Sequence, residues 1–149
     1  FNNCGITESN KTADNTDGIR KIMEMVRKEF KGLCFINLND FDSKYGHRRN
    51  AVGYADALSE FDEAIPHMLS RLRDDDLVII TADHGNDPTF RGTDHTRENV
   101  PVFIFSPQFK TPGKLEDFET FANIGATIAE NFNVAKPSIG ESILRNLKW

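Results

Sequence analysis

The chain is poor in cysteine, in basic excess and in long apolar runs, and each shortage removes a class of protein. Two cysteines in 149 residues, Cys4 and Cys34, give no disulfide framework. Cys34 sits in an apolar run, where a buried free thiol is expected. No stretch approaches the roughly 18 apolar residues of a membrane span, and no charged-then-apolar leader opens the chain. A soluble, cytoplasmic protein without a membrane partner is therefore expected. The net charge of -5 leaves no surplus for a phosphate backbone, which argues against nucleic acid as the main partner. Internal repeats and low-complexity tracts are missing too. With 38% hydrophobic and 28% charged residues, the chain reads as one ordinary globular unit able to bury a substantial core. It begins at Phe1 within what reads as a loop, so a piece of a longer polypeptide is expected.

What the chain does have is concentrated in three short segments. They are Asp42-Ser-Lys-Tyr-Gly-His47-Arg48-Arg49, Thr81-Ala-Asp83-His84-Gly85-Asn86-Asp87-Pro88 and Gly92-Thr-Asp94-His95-Thr96-Arg97-Glu98. Three of the 4 histidines fall inside them, each within a few residues of an aspartate. Neutral imidazole and carboxylate together suit a divalent cation such as manganese or zinc, and no thiolate is needed. Asp42, His47, Asp83, His84 and His95 are more protein ligands than one catalytic ion takes while keeping a position open, so two ions are expected. Paired ions clamp the attacking and leaving oxygens of an in-line phosphoryl displacement, which points to phosphate ester chemistry. Arg48, Arg49, Arg91 and Arg97 either grip phosphate or balance the acidic ligands. Gly46 and Gly85 are expected to supply backbone conformations that other residues resist. His67, beside Pro66 with no acidic neighbour at ligand spacing, reads as an ordinary helix residue.

The remaining residues alternate between helical and strand patterns. Ile19, Ile22, Met23, Val26 and Phe30 recur at helical spacing, and 33–38 is an apolar run of strand length, buried on both faces. Tyr54, Ala57, Leu58, Phe61, Ile65, Met68, Leu69 and Leu72 form one helical stripe, with a kink expected at Pro66. Asp74–Asp76 reads as a turn, 77–81 as a second buried strand and 101–105 as a third. Strand, helix and strand in this order make a right-handed βαβ unit, whereas the third strand, lacking a crossover helix, is expected to run antiparallel. Phe121, Ile124, Ile128 and Phe132 mark another helix, and a short one starts near Ser142. Both the Asp42–His47 and the Asp83–His84 groups then follow strands, where open α/β sheets bind their ligands.

The three segments together resemble the phosphopentomutases of the alkaline phosphatase superfamily, and the likeness extends to Gly5-Ile-Thr7, Asn131-Phe-Asn-Val134 and Gly140-Glu-Ser142. The Asp-His-Gly-Asn element alone is shared with cofactor-independent phosphoglycerate mutases. The Arg48-Arg49 pair and the Gly92 to Glu98 run are far more specific to the pentomutases. The resemblance implies a three-layer α/β/α fold with a mostly parallel mixed sheet, of which residues 1–149 form the C-terminal part of the catalytic core. It implies two manganese ions, one on Asp42, His47 and His95, the other on Asp83, His84 and groups outside this chain. It further implies a phosphothreonine nucleophile upstream, a cap domain, a bisphosphorylated sugar as primer, and substrate contacts from Arg48, Arg49 and Arg97. The implied reaction interconverts ribose or deoxyribose 1-phosphate and 5-phosphate, with no nucleophile in this chain and no activity expected of it alone. Alternatives are a phosphoglycerate mutase or phosphomonoesterase of the same superfamily, or a non-catalytic metal-binding domain.

Overall fold

The structure, a computed structural model, describes residues 4–147 and 149. They form two compact units. One takes in the described residues up to Leu72 together with His84–Val100, and the other takes in Arg73–Asp83 with Pro101–Trp149.

In the first unit, helix α1 spans Asn15–Met25. It starts there because two aspartates cap it reciprocally: Asp14 accepts from the Asp17 amide at 2.8 Å, and the Asp17 carboxylate accepts from the Ala13 amide at 3.0 Å. It stops short of the expected Phe30. Tighter bonds from Arg27 N–H to Glu24 O at 3.3 Å and Lys28 N–H to Met25 O at 2.9 Å close its last turn. Helix α2 spans Ala51–Leu69, opened by the Asn50 side chain accepting from the Gly53 amide at 2.9 Å, and it continues through Pro66. Ile19, Ile22 and Met23 of α1 meet Phe61, Ala64, Ile65 and Met68 of α2 across an apolar seam. Leu58 falls outside that seam and is 50% exposed, while His67 is exposed as its setting suggested.

The expected first strand does not form. Residues 33–38 run without strand pairing, and Leu33 and Phe35 are 60% and 69% exposed. Cys34 is exposed rather than buried. A strand buried on both faces needs a hydrogen-bonded neighbour on each edge, and 33–38 takes no part in the sheet that the described residues form. The segment instead lies along α1, where the bare Gly18 admits Leu38: a Cβ at that glycine would come within 2.6 Å of Leu38 Cδ2. Its end is pinned by a reciprocal pair, with Asn15 N–H donating to Asp40 Oδ2 and Asp40 N–H to Asn15 Oδ1, both at 3.0 Å. The pin fixes where the next element, the first ligand turn, leaves α1.

The second unit holds strands β1 (Val78–Thr81) and β2 (Val102–Phe105), antiparallel with Val78 opposite Phe105 and Thr81 opposite Val102. The antiparallel run of 101–105 thus follows from its missing crossover helix. Among the described residues this two-stranded sheet stands alone, so the βαβ unit and the mostly parallel mixed sheet expected from the sequence are not formed. Helix α3 (Ala122–Asn131) buries Ala126, Thr127 and Ala129. The C-terminal segment folds onto it: Ile143 N–H donates to Thr127 Oγ1 and Glu141 N–H to Asn123 Oδ1, each at 3.0 Å. Gly140, at φ +97°, makes this approach possible, because a Cβ there would lie 2.4 Å from Ala122 O. A single 3-10 turn, Leu144–Asn146, stands where the short helix was expected. No helix among the described residues is long and apolar enough to cross a membrane.

Candidate metal centre

The first ligand segment forms a π-helical turn over Phe41–Gly46, closed by His47 N–H donating to Asp42 O at 2.9 Å. This wider winding, which is frequent at functional sites, sets Asp42 and His47 side by side. Their side chains stand with His47 Nε2 3.3 Å from Asp42 Oδ2. The turn is seated on α2. The Phe41 and Tyr54 rings lie 5.4 Å apart, and the Tyr45 ring packs over the first turn so closely that a Cβ at Gly53 would meet it at 2.6 Å. Tyr45 therefore serves packing. Burial, followed by the Asp42 charge, pushes the Tyr54 phenol above its ordinary value, so it stays neutral beside the site.

The second and third segments are tied to each other by an isolated antiparallel bridge between Gly85 and Thr96, with Thr96 N–H donating to Gly85 O at 3.1 Å. The Thr96 hydroxyl adds a second tie, accepting from Asp87 N–H at 2.6 Å and donating to Glu98. This bridge brings His84 and His95 together with rings stacked at 3.7 Å and 22°. His95 Nε2 lies 3.2 Å from Asp42 Oδ1 and 3.2 Å from His47 Nε2. His84 Nε2 stands slightly further off, 3.9 Å from Asp42 Oδ1. Asp83 belongs to the second unit, two residues beyond β1, and is exposed.

The glycines work differently from expectation. Neither Gly46 nor Gly85 has a positive φ. Both are required for closeness: a Cβ at Gly46 would come within 2.4 Å of Asn86 Nδ2, and one at Gly85 within 2.5 Å of Glu98 Oε2 and 2.8 Å of Thr96 O.

Asp42, His47 and His95 form a three-cornered donor set, the first two half-buried and the third exposed. Two ligands about 2.1 Å from one ion are separated by roughly 3.0 Å at right angles and roughly 3.4 Å at a tetrahedral angle. The His47 Nε2–His95 Nε2 edge, 3.2 Å, falls within that interval, and the Asp42 carboxylate faces both rings, Oδ2 lying 3.3 Å from His47 and Oδ1 3.2 Å from His95, with one donor atom from each residue within 4.8 Å of the others. The histidine tautomer fits as well. His47 Nδ1–H donates to the Thr93 carbonyl, leaving the Nε2 lone pair directed at Asp42 and His95. The donor set therefore suits a divalent cation, and the exposed His95 side leaves positions for a further ligand.

The arginines divide sharply. Arg48 and Arg97 are exposed and have no hydrogen bond or ion pair among the described residues. Arg49 is half-buried and engaged throughout: Nη1 donates to Gly46 O at 3.1 Å, Asn86 Oδ1 at 2.9 Å and Asp87 O at 2.7 Å, Nη2 donates to Asp94 O at 2.6 Å, and Nε donates to Gly92 O. Three consecutive carbonyls, Gly92, Thr93 and Asp94, thus accept from Arg49, His47 and Arg49 in turn. Asn86, which the sequence did not single out as functional, donates Nδ2–H to Asp42 Oδ1 at 2.7 Å. Its place inside the Asp-His-Gly-Asn run was the available signal. The loop also stabilises its own acid, since the Thr89 hydroxyl and amide hold the Asp87 carboxyl below the usual range, with a smaller contribution from Arg49.

The sequence profile of the Metalloenzyme superfamily matches residues 1–136, which include every one of these donors. By that match and by its imidazole–carboxylate donor set, the chain belongs to the Metalloenzyme superfamily, the alkaline phosphatase-like α/β enzymes that work through bound metal ions.

Proposed function

We propose that the chain is the C-terminal part of the catalytic core of a phosphopentomutase, interconverting ribose or deoxyribose 1-phosphate and 5-phosphate. The observation that carries the reading is the convergence of Asp42, His47 and His95 from two of the pentomutase-like segments onto one three-cornered donor set. In this reading those residues hold one Mn2+, while Asp83 and His84 contribute to a second with groups outside the chain. The ions supply charge neutralisation for phosphoryl oxygens. The chain's own residues prepare the site: His47 keeps its Nε2 lone pair free by donating Nδ1–H to Thr93 O, and Asn86 orients the Asp42 carboxylate. Arg48 and Arg97, exposed and uncommitted among the described residues, meet the substrate phosphate, a task for which the guanidinium fork is suited. The phosphothreonine, the cap and the bisphosphorylated primer belong to the reading as parts supplied from elsewhere.

Phosphorus NMR of ribose 1-phosphate incubated with Mn2+, a bisphosphorylated pentose and the complete enzyme, in which this chain is joined to the phosphothreonine and cap segments the reading requires, tests it. Ribose 5-phosphate is expected, and none with His47→Ala. Release of inorganic phosphate instead would favour a phosphomonoesterase. Metal uptake without any turnover of a pentose, glycerate or simple phosphate ester would favour a non-catalytic metal-binding domain.

A further inference from the structure

Arg49 is unusual in two respects at once. It adopts a left-handed backbone conformation, φ 52°, that arginine rarely adopts, and it directs its guanidinium inward to four carbonyl oxygens and one side-chain amide oxygen. The acceptors lie on all three ligand segments: Gly46 precedes His47, Asn86 and Asp87 follow His84, and Gly92 and Asp94 lead into His95. The bond to Asn86 decides more than packing. An amide whose oxygen accepts from Arg49 must present its NH2 on the other side, and that group donates to Asp42 Oδ1. Arg49, Asn86 and Asp42 therefore form a directional chain ending on a ligand oxygen.

We infer that Arg49 is a positioning residue of the metal centre, acting through Asn86 on the Asp42 carboxylate and through the Gly92 and Asp94 carbonyls on the approach of His95. The inference rests on the metal-centre reading above. It makes a prediction opposite in sign to simple charge balance. A guanidinium near a cation site repels the cation, so deleting it tightens binding if charge alone matters. If Arg49 positions the ligands, deleting it weakens binding, by the roughly tenfold to hundredfold that outer partners of metal ligands carry.

The test measures Mn2+ affinity by calorimetry and the electron paramagnetic resonance line shape of bound Mn2+, with metal as the only probe. Arg49→Gly keeps the left-handed turn while removing the side chain. It is expected to weaken Mn2+ binding at least tenfold and alter the spectrum, and Asn86→Ala is expected to do the same. The double variant should be no weaker than Arg49→Gly alone, because both changes break one chain. Affinity unchanged or tighter in Arg49→Gly, or losses that multiply in the double variant, would overturn the inference while leaving the metal centre standing. If Arg49→Gly fails to fold, Asn86→Ala decides: a tenfold loss supports the relay and an unchanged affinity overturns it. Absence of Mn2+ binding by the unaltered protein would bring down both this inference and the reading beneath it.

Discussion

Gly46→Ala isolates the cost of crowding the ligand turn. The glycine has no positive φ, so alanine is conformationally acceptable there and gains about 0.5–1 kcal/mol over glycine in a helical backbone. Space opposes the change. The new Cβ would stand 2.4 Å from Asn86 Nδ2, 2.6 Å from Asn86 Cγ and 2.9 Å from Phe41 O. Ordinary contact begins near 3.5 Å, so the amide must retreat by about 1 Å, since the backbone oxygen behind the turn gives way less readily. That retreat breaks the 2.7 Å bond to Asp42 and the 2.9 Å bond from Arg49. Crowding costs about 1–3 kcal/mol and each lost hydrogen bond about 1 kcal/mol. Less the alanine gain, the net loss is about 2–4 kcal/mol, a fall of roughly 10 °C in melting temperature for a chain of this size. Mn2+ affinity should fall with it, by about tenfold or more, because Asp42 loses its orienting donor. Thermal unfolding without metal and Mn2+ calorimetry read the two effects separately. A Gly46→Ala protein that melts within about 2 °C of the original and binds Mn2+ equally well would refute the claim that closeness to Asn86 is what the glycine provides.

Gly125→Ala is expected to do the reverse: it lies in α3 with nothing within 4 Å of a new Cβ, so stability should rise by about 0.5–1 kcal/mol, read as a higher urea midpoint. Gly140→Ala should be strongly destabilising, since it combines φ +97° with a 2.4 Å clash against Ala122 O; a midpoint equal to that of the unaltered protein would contradict the packing of the C-terminal segment on α3. Mn2+ affinity should weaken as pH is lowered from about 8 to about 5.5, because protons compete for the imidazole lone pairs, and a flat calorimetric profile would argue against histidine ligation. Bonds from the Ala13 amide and then from Lys21 and Arg20 hold the Asp17 carboxyl well below the ordinary carboxylate range. Its contribution to stability is therefore present above that range and disappears as pH falls through the depressed folded value. Asp17→Asn should accordingly lower the melting temperature at neutral pH, with the gap to the unaltered protein narrowing progressively in strong acid.

The site was more legible than the sheet. Asp42, His47 and His95 announced themselves because imidazole and carboxylate clustered beside glycines have few structural uses, and the folded chain brings those three together. Helices α1, α2 and α3 were legible from apolar spacing, since a helix satisfies its own backbone and needs a partner on only one face. Residues 33–38 misled for the complementary reason. Apolar content marks what a strand could bury, but pairing depends on neighbours that a local pattern does not contain. The roles of Asn86 and Arg49 were hidden because they depend on the direction of particular hydrogen bonds. An arginine gripping phosphate and an arginine gripping carbonyls have the same letter, and the left-handed turn at φ 52° with the inward bonds made there sets Arg49 apart from its exposed neighbour.

That turn has a consequence for how the two adjacent arginines tolerate change. Any replacement at position 49 faces two demands that no other side chain meets together: a left-handed backbone favours glycine or asparagine, and a five-acceptor cage requires a guanidinium. Lysine satisfies neither the geometry of the cage nor the turn. Position 48, exposed and uncommitted among the described residues, faces no such demand. In a saturation library sorted only for cellular abundance, blind to turnover, substitutions at Arg48 should survive in bulk while those at Arg49 are depleted. Such a library would distinguish two identical neighbouring letters by the jobs their backbones assign them.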